Sequence, residues 1–210
     1  MQQFRIKGLY AITPDIECTS DLVEKVNQVL SSGVRYVQYR NKSIIHEQRI
    51  DQAYAIMERC KLYGAKLIIN DHLDVALAVN ADGLHLGKAD ISIQKARTTL
   101  GKYKLIGASC YNRIDFALEA EKEGADYVAF GAFYASKTKE NTFKANPDLL
   151  TQAKETLQIP IVAIGGIKIT NATSLISQGC DAIAVSDGLF NAVNIESTAK
   201  KFSSLFLEYQ

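Results

Sequence analysis

The chain has 210 residues, of which 47% are apolar and 22% charged, with 24 Lys plus Arg against 23 Asp plus Glu. A chain of this size buries a proper core, as one large domain or two small ones. The charge balance excludes an electrostatic case for nucleic-acid or membrane-surface binding, and no apolar run reaches the roughly 18 residues of a membrane span.

Arg5 and Lys7 near the start are not followed by an apolar h-region, so no secretory signal is expected. Cys18, Cys60, Cys110 and Cys180 form no CxxC pair, and the three histidines are not at ligand spacing. Reduced, buried thiols in a cytoplasmic protein are expected rather than a disulfide framework or a zinc site. Three prolines and no Ser/Gly-rich stretch argue against a linker.

Eight short apolar runs recur along the chain. Strands are predicted at Gly8–Thr13, Tyr36–Arg40, Lys66–Asp71, Gly83–Leu86, Leu105–Cys110, Tyr127–Gly131, Ile161–Gly166 and Ala182–Ser186. Runs such as LIIND and YVAFG are continuous rather than alternating, which suits strands buried on both faces of a parallel sheet. Between them lie amphipathic stretches. Asp21–Ser32 spaces Leu22, Val26, Val29 and Leu30 for one helix face, with Ser20 or Asp21 as N-cap. His46–Tyr63 does the same with Ile50, Ala53, Ile56, Met57 and Cys60. Gly33, Gly64, Gly124 and Gly179 each follow a helical pattern, the expected place for a helix-terminating glycine.

Eight strands alternating with helices predict an α/β fold, a compact (β/α)8 TIM barrel with residues 1–210 as its single domain. A doubly wound open sheet also alternates strand and helix. The count of eight, and the absence of GxGxxG after the first strand, favour the barrel.

Barrel chemistry sits at the C-terminal ends of the strands. There the chain places Gln38-Tyr39-Arg40-Asn41-Lys42, then Asn70-Asp71, His85 to Asp90, Ser109, Ser136-Lys137-Thr138-Lys139, Gly165-Gly166 and Val185-Ser186-Asp187-Gly188. Arg40, Lys42 and Lys139 suit phosphate oxygens. Asp71 and Asp90, with no His or Cys beside them, suit Mg²⁺ bridging to a polyphosphate. The glycines after strand seven and the helix start after strand eight suit a second phosphate. Taken singly, each has a plainer role. Arg40, Lys42 and the Lys-rich loop could be solvated charges, Asp71 a cap for Leu73–Val79, and Asp90 a cap near Ser92. His85 reads as a core or supporting group. Tyr10, Tyr36, Tyr39, Tyr127 and Tyr134 read as barrel packing.

The segments GLYAIT, VQYRNK, IINDHLDVAL, ADGLHLGKAD, IGAS, GADYVAFGAF with SKTK, IVAIGGI and AIAVSDG, in this order, resemble the thiamine phosphate synthase (thiamine-phosphate pyrophosphorylase) family over nearly the full length. The resemblance implies a transferase. Hydroxymethylpyrimidine diphosphate joins a thiazole phosphate, giving thiamine phosphate and pyrophosphate. It implies Mg²⁺ on Asp71 and Asp90, and Arg40, Lys42, Ser109 and Lys139 as catalytic groups. Gln38 to Lys42, Asn70, Ser109 and Lys139 would contact the diphosphate substrate. Ser136, Lys137, Thr138, Gly165, Gly166, Val185 and Ser186 would hold the thiazole phosphate. The implied partners are these two small molecules, with no nucleic acid and no membrane; a homo-oligomer is compatible with the sequence.

The chain departs from the family pattern at several positions. His72 stands for the common Arg, Lys88 for Gln, Ala132 and Ala135 for prolines, Ser136 for Thr, and Asp187 for a small apolar residue. Lys144-Ala145-Asn146-Pro147 replaces a Gly-rich stretch. Rival readings are a thiazole tautomerase of the same superfamily, a non-catalytic thiazole-phosphate-binding barrel, and a sugar-phosphate barrel enzyme. The tautomerase would use a His at the end of strand six, where this chain has Ala132.

Overall fold

The computed structural model describes residues 5–135 and 145–207. Its strands are β1 Gly8–Ile12, β2 Tyr36–Tyr39, β3 Lys66–Asn70, β4 Gly83–Leu86, β5 Leu105–Tyr111, β6 Tyr127–Phe130, β7 Ile161–Ile164 and β8 Ala182–Val185. They pair in parallel in sequence order, and β8 pairs back onto β1. This closure excludes the open doubly wound sheet. The connecting helices are α1 Thr19–Ser31, α2 His46–Leu62, α3 Leu73–Ala78, α4 Ile93–Leu100, α5 Ile114–Lys122, α6 Asp148–Thr156 and α7 Ile169–Ser177. The short α8 Asp187–Phe190 and the longer α9 Ile195–Leu205 follow β8.

The core has two layers because strand side chains alternate. Tyr10, Tyr36, Ile68, Leu105, Tyr127, Val162 and Ala182 belong to a cluster inside the barrel. Leu9, Val37, Ile69, Leu84, Ile106, Val128 and Ile183 pack outward with the buried stripes of the helices. On α1 that stripe is Leu22, Val26, Val29 and Leu30, as the spacing predicted. Gly33, Gly64, Gly124 and Gly179 all have positive φ, so each ends its helix in a conformation that glycine adopts without strain.

Several local expectations are corrected. The N-cap of α1 is Cys18, without a side-chain capping bond, rather than Ser20 or Asp21. The residue at the N-cap of α3 is His72, not Asp71. Ser92 itself caps α4, accepting from Lys95 N, so Asp90 is not the cap. β5 runs one residue further than predicted, to Tyr111. The polar residues Thr13, Arg40, Asp71 and Ser186 and the pair Gly165-Gly166 lie just beyond their strands, because the ladder ends where the chain turns outward over the rim.

The opposite rim carries a repeated device. An aspartate just before a strand accepts a backbone N–H from the preceding strand and pairs with a cation. Asp82 accepts Leu67 N at 3.0 Å and pairs with Lys66 at 2.7 Å. Asp126 accepts Ile106 N at 2.7 Å and pairs with Arg97 at 2.5 Å. Asp181 accepts Ile161 N at 2.9 Å and pairs with Lys154 at 2.9 Å. Arg97 also donates to the carbonyls of Gly101, Lys104 and Gly124. Asp126→Ala leaves the Ile106 N–H and the Arg97 guanidinium without their shared acceptor. The expected cost is about 1–3 kcal/mol in urea unfolding.

Candidate active site

The inward strand positions converge on a cavity of ≈ 260 Å³ at the C-terminal rim. Gln38, Arg40, Asn70, His85 and Ser109 line one part of it. Gly165, Gly166, Ser186 and Gly188 line another.

On the β2 side, Thr13 Oγ1 donates to Arg40 O and accepts from Arg40 N, both at 2.9 Å. Asp15 grips the same segment. Its carboxylate accepts from Arg40 Nη1 at 3.0 and 3.1 Å and from Lys42 N at 2.8 Å. Arg40 and Lys42 are therefore presented by a braced turn rather than a free loop. Lys42 Nζ reaches to 3.5 Å from Asp71 Oδ2.

Asp71 holds a left-handed backbone, φ +62°, while its N–H bonds His85 O at 2.9 Å. Such a conformation is strained for a non-glycine residue and is tolerated best by Asp and Asn. Asp90 accepts Gly87 N at 2.7 Å through Oδ2. Burial raises the Asp90 pKa, and the neighbouring Asp71 carboxyl raises it further; the Gly87 N–H and the Lys42 charge oppose them. Two mutually repelling carboxyls beside the Lys42 ammonium are a donor set that suits a hard divalent ion. Such an ion takes one or two carboxylates and fills its remaining positions with water and phosphate oxygens. Among the described residues there is no group of three His, Cys, Asp or Glu that could hold a metal.

The glycine side is shaped by close approach. Gly165 and Gly166 have φ of +106° and +61°. A Cβ on Gly165 would run into Ala132, and one on Gly166 into the backbone of Tyr134 and Ala135. The segment after β6 lies against them, with Phe133 N bonded to Ile164 O at 3.2 Å and Tyr134 N to Gly165 O at 3.1 Å. Ala132 and Ala135, in place of prolines, thus sit directly on the cradle. Asp187 also lines the cavity, but its Oδ1 accepts from Asn191 Nδ2 at 2.7 Å, one turn along the chain.

Among the described residues, Lys42, Asp71 and Asp90 do not line this cavity, and Asp90 lines a second pocket with Leu86, Gly87 and Lys88. Tyr39, Asn41 and Val185 are not brought to the cavity through their side chains either. Tyr39 and Val185 fall on outward strand positions. The Tyr39 hydroxyl donates to Gln52 Oε1 of α2 at 3.0 Å, and Val185 packs in the outer layer. Asn41 is buried beside them, donating to Ile16 O at 2.8 Å and Gln52 Oε1 at 3.0 Å. Their places are set by strand parity, which a string of rim residues does not display. Ser136, Lys137, Thr138 and Lys139 lie outside the described residues. Asp15 and Thr13 are missing from the sequence reading, although they stand at the end of β1, where the rim rule applied to the other strands also applies. Lys168 and Tyr111 line the cavity as well, Tyr111 with φ +55°.

A family model described as thiamine monophosphate synthase matches residues 9–189. A thiamine-phosphate synthase of Nitrosomonas eutropha is 53% identical over 206 residues, covering 98% of this chain and 97% of its own length. One from Nitrosospira multiformis is also 53% identical, over 201 residues, covering 96% of this chain and 86% of its own length. The solved thiamine phosphate pyrophosphorylase of Pyrococcus furiosus superposes with a TM-score of 0.85 at 32% identity, covering 96% of each chain.

Asp15→Ala releases the braced turn without emptying the core. If Arg40 and Lys42 bind an anionic substrate, the expected result is a KM for the diphosphate substrate raised roughly tenfold, about 1.4 kcal/mol, with an unchanged KM for the thiazole phosphate. Steady-state kinetics varying each substrate separately check it.

Proposed function

The chain belongs to the thiamine monophosphate synthase family, and we propose that it condenses 4-amino-5-hydroxymethyl-2-methylpyrimidine diphosphate with 4-methyl-5-(2-phosphooxyethyl)thiazole. The products are thiamine phosphate and pyrophosphate. The observation that carries this reading is that one cavity is lined by Arg40, Asn70 and Ser109 on one side and by a separate glycine cradle on the other, with the Lys42–Asp71 pair next to Asn70 at the same rim. Two anionic substrates then have two distinct seats, with their reactive ends between them.

The C–O bond between the pyrimidine methylene and the diphosphate breaks, and its electron pair leaves with pyrophosphate. The aminopyrimidine stabilises the resulting cation. The thiazole nitrogen supplies the pair for the new C–N bond, so no protein base is required. Arg40, Lys42 and Lys139 stabilise charge growing on the leaving group. Asn70 and Gln38 orient the pyrimidine, and Ser109 contacts the diphosphate substrate. Ser136, Lys137, Thr138, Gly165, Gly166 and Ser186 seat the thiazole phosphate, with Val185 contributing through its backbone. The main tasks are positioning and exclusion of water from the cation.

Asp71 and Asp90 would hold Mg²⁺. When bound, this ion supplies charge neutralisation for pyrophosphate oxygens. Asp187 lines the cavity beside the proposed thiazole-phosphate seat, and the Asn191 amide donates to its Oδ1, which leaves the other carboxylate oxygen to be accommodated.

The reading extends to the whole of 1–210 as one domain working in the cytoplasm on small molecules. Cys60, Cys110 and Cys180 are buried free thiols, in keeping with a reducing compartment. No helix among the described residues is long and apolar enough to cross a membrane.

The direct test combines purified protein with both substrates and Mg²⁺ and follows thiamine phosphate and pyrophosphate. Both products are expected, and both are lost in EDTA. A folded protein that forms neither overturns the reading. Asp71→Asn and Asp90→Asn are each expected to lower turnover by about 100-fold or more, on the order of 2.7 kcal/mol of barrier. In thermal melts with added pyrophosphate, Mg²⁺ should raise the Tm of the parent protein and leave that of the variants unmoved. Near-normal Mg²⁺-dependent turnover in both variants would remove these residues from the metal site.

A further inference from the structure

Tyr111 stands where β5 ends at the rim, and no step of the proposed reaction uses it. Its backbone is left-handed, φ +55°, a conformation strained for a bulky aromatic residue and accessible to Gly or Asn. The register with β6 shifts at this point. Ser109 faces Ala129 and Tyr111 faces Phe130, so β5 holds one residue more than its partner. A bulge of this kind re-aims a side chain beside a site. The sheet holds the strained residue in place, because Gly131 N donates to Tyr111 O at 2.8 Å.

Tyr111 lines the cavity beside Ser109, with 45% of its surface exposed. Its ring reaches across to the loop after β4. A Cβ on Gly87 would lie 3.9 Å from Tyr111 Oη and 3.2 Å from Asp90 Oδ2. The phenol oxygen and the Asp90 carboxylate therefore approach the same side of Gly87. Two polar neighbours are engaged elsewhere. Ser109 Oγ lies 2.9 Å from His85 Nε2, at the end of a buried row that runs through the Tyr127 and Tyr10 hydroxyls to Gln38. Lys88 Nζ lies over the Phe116 ring, 4.1 Å from its centroid. The Tyr111 hydroxyl has no hydrogen-bond partner among the described residues, so it keeps a hydrogen to donate beside Asp90.

We propose that Tyr111 is a further catalytic residue, whose hydroxyl donates a hydrogen bond to the diphosphate and holds it as pyrophosphate leaves. This rests on the function proposed above. Arg40 and Lys42 approach the diphosphate from the end of β2, and Tyr111 approaches it from the end of β5. The phenol keeps its proton throughout. Its contribution is a hydrogen bond to an oxygen on which negative charge grows, and such bonds strengthen as the acceptor becomes ionised. The turn by itself calls for Gly or Asn. A tyrosine held there against its backbone preference points to a use for the side chain.

The test is calorimetric binding of pyrophosphate in the presence of Mg²⁺, with no second substrate, to the parent protein and to Tyr111→Phe. This variant removes the hydroxyl and keeps the ring. It is expected to bind pyrophosphate roughly tenfold more weakly. In steady-state kinetics its kcat/KM for the pyrimidine diphosphate should fall by about as much, with the KM for the thiazole phosphate unchanged. Equal pyrophosphate affinity in parent and variant overturns the proposal, and so does a loss shared equally by the two substrates. If Tyr111→Phe does not fold, Tyr111→Asn carries the same comparison, because Asn accepts the left-handed backbone and has no phenol. Failure of the function itself is separate. A parent that binds pyrophosphate but forms no thiamine phosphate ends the proposed function, while the two pyrophosphate affinities still decide the role of Tyr111. A parent that binds no pyrophosphate overturns the contact.

Discussion

Closure of eight parallel strands onto themselves is the constraint from which the rest of the molecule follows. Each strand must offer one set of side chains to a narrow interior and the alternate set to the helices. β2 illustrates the result. Tyr36 and Gln38 point inward, while Val37 and Tyr39 point outward, and Arg40 emerges at the rim as the next inward position. A one-residue slip would send Gln38 and Arg40 into an apolar layer and bring Val37 and Tyr39 into the cavity. The register between strands therefore fixes the site as firmly as it fixes the core.

The interior is filled unevenly, and that unevenness decides what the cavity can be. Tyr10 and Tyr127 meet edge to face, with ring centroids 5.9 Å apart, and His85 stacks on Tyr127 at 5.6 Å. The same inner cluster contains Ala129, Ala182 and Ala184, and Gly107 allows no Cβ because the Tyr127 ring occupies its place. Large rings facing small residues close the barrel beneath the cavity. Buried hydroxyls and an imidazole are costly unless their hydrogen bonds are met. Here they are met by one another, in a row that ends at two cavity residues. Filling the barrel and orienting the site are therefore accomplished by the same side chains.

Most of the architecture was legible because apolar runs buried on both faces can be read without knowing their neighbours. Eight such runs, each preceded by a helix-ending glycine or a comparable turn, specify alternation, and the rim residues follow from strand order. What was not legible depends on direction and partnership. Tyr39, Asn41 and Val185 belong to the right segments, yet their side chains face α2 or the outer layer. Asp71 and Asp90 were readable as carboxylates at the rim. The left-handed turn at Asp71 and the Gly87 N–H held by Asp90 were not, because both arise from contacts between separate loops. Asp15 is not legible as a site residue for a simpler reason: the stretch after β1 contains Pro14 and resembles a connection more than a site.

The two rims divide stability from chemistry. At the N-terminal rim, Asp82, Asp126 and Asp181 each meet a backbone N–H and a cation, so their charges are paired and their geometry is spent on holding neighbouring strands together. At the C-terminal rim the charges are left partly opposed. Asp71 and Asp90 repel, Lys42 compensates them incompletely at 3.5 Å, and Asp71 sits in a strained backbone. A folded protein retains such an arrangement only where the surrounding structure over-determines it. Here the closed sheet and the paired lower rim do so. On the proposed function, a multiply charged ligand and its cation would complete the partly opposed charges of the upper rim, so the features that least favour the isolated fold would be those the ligand uses.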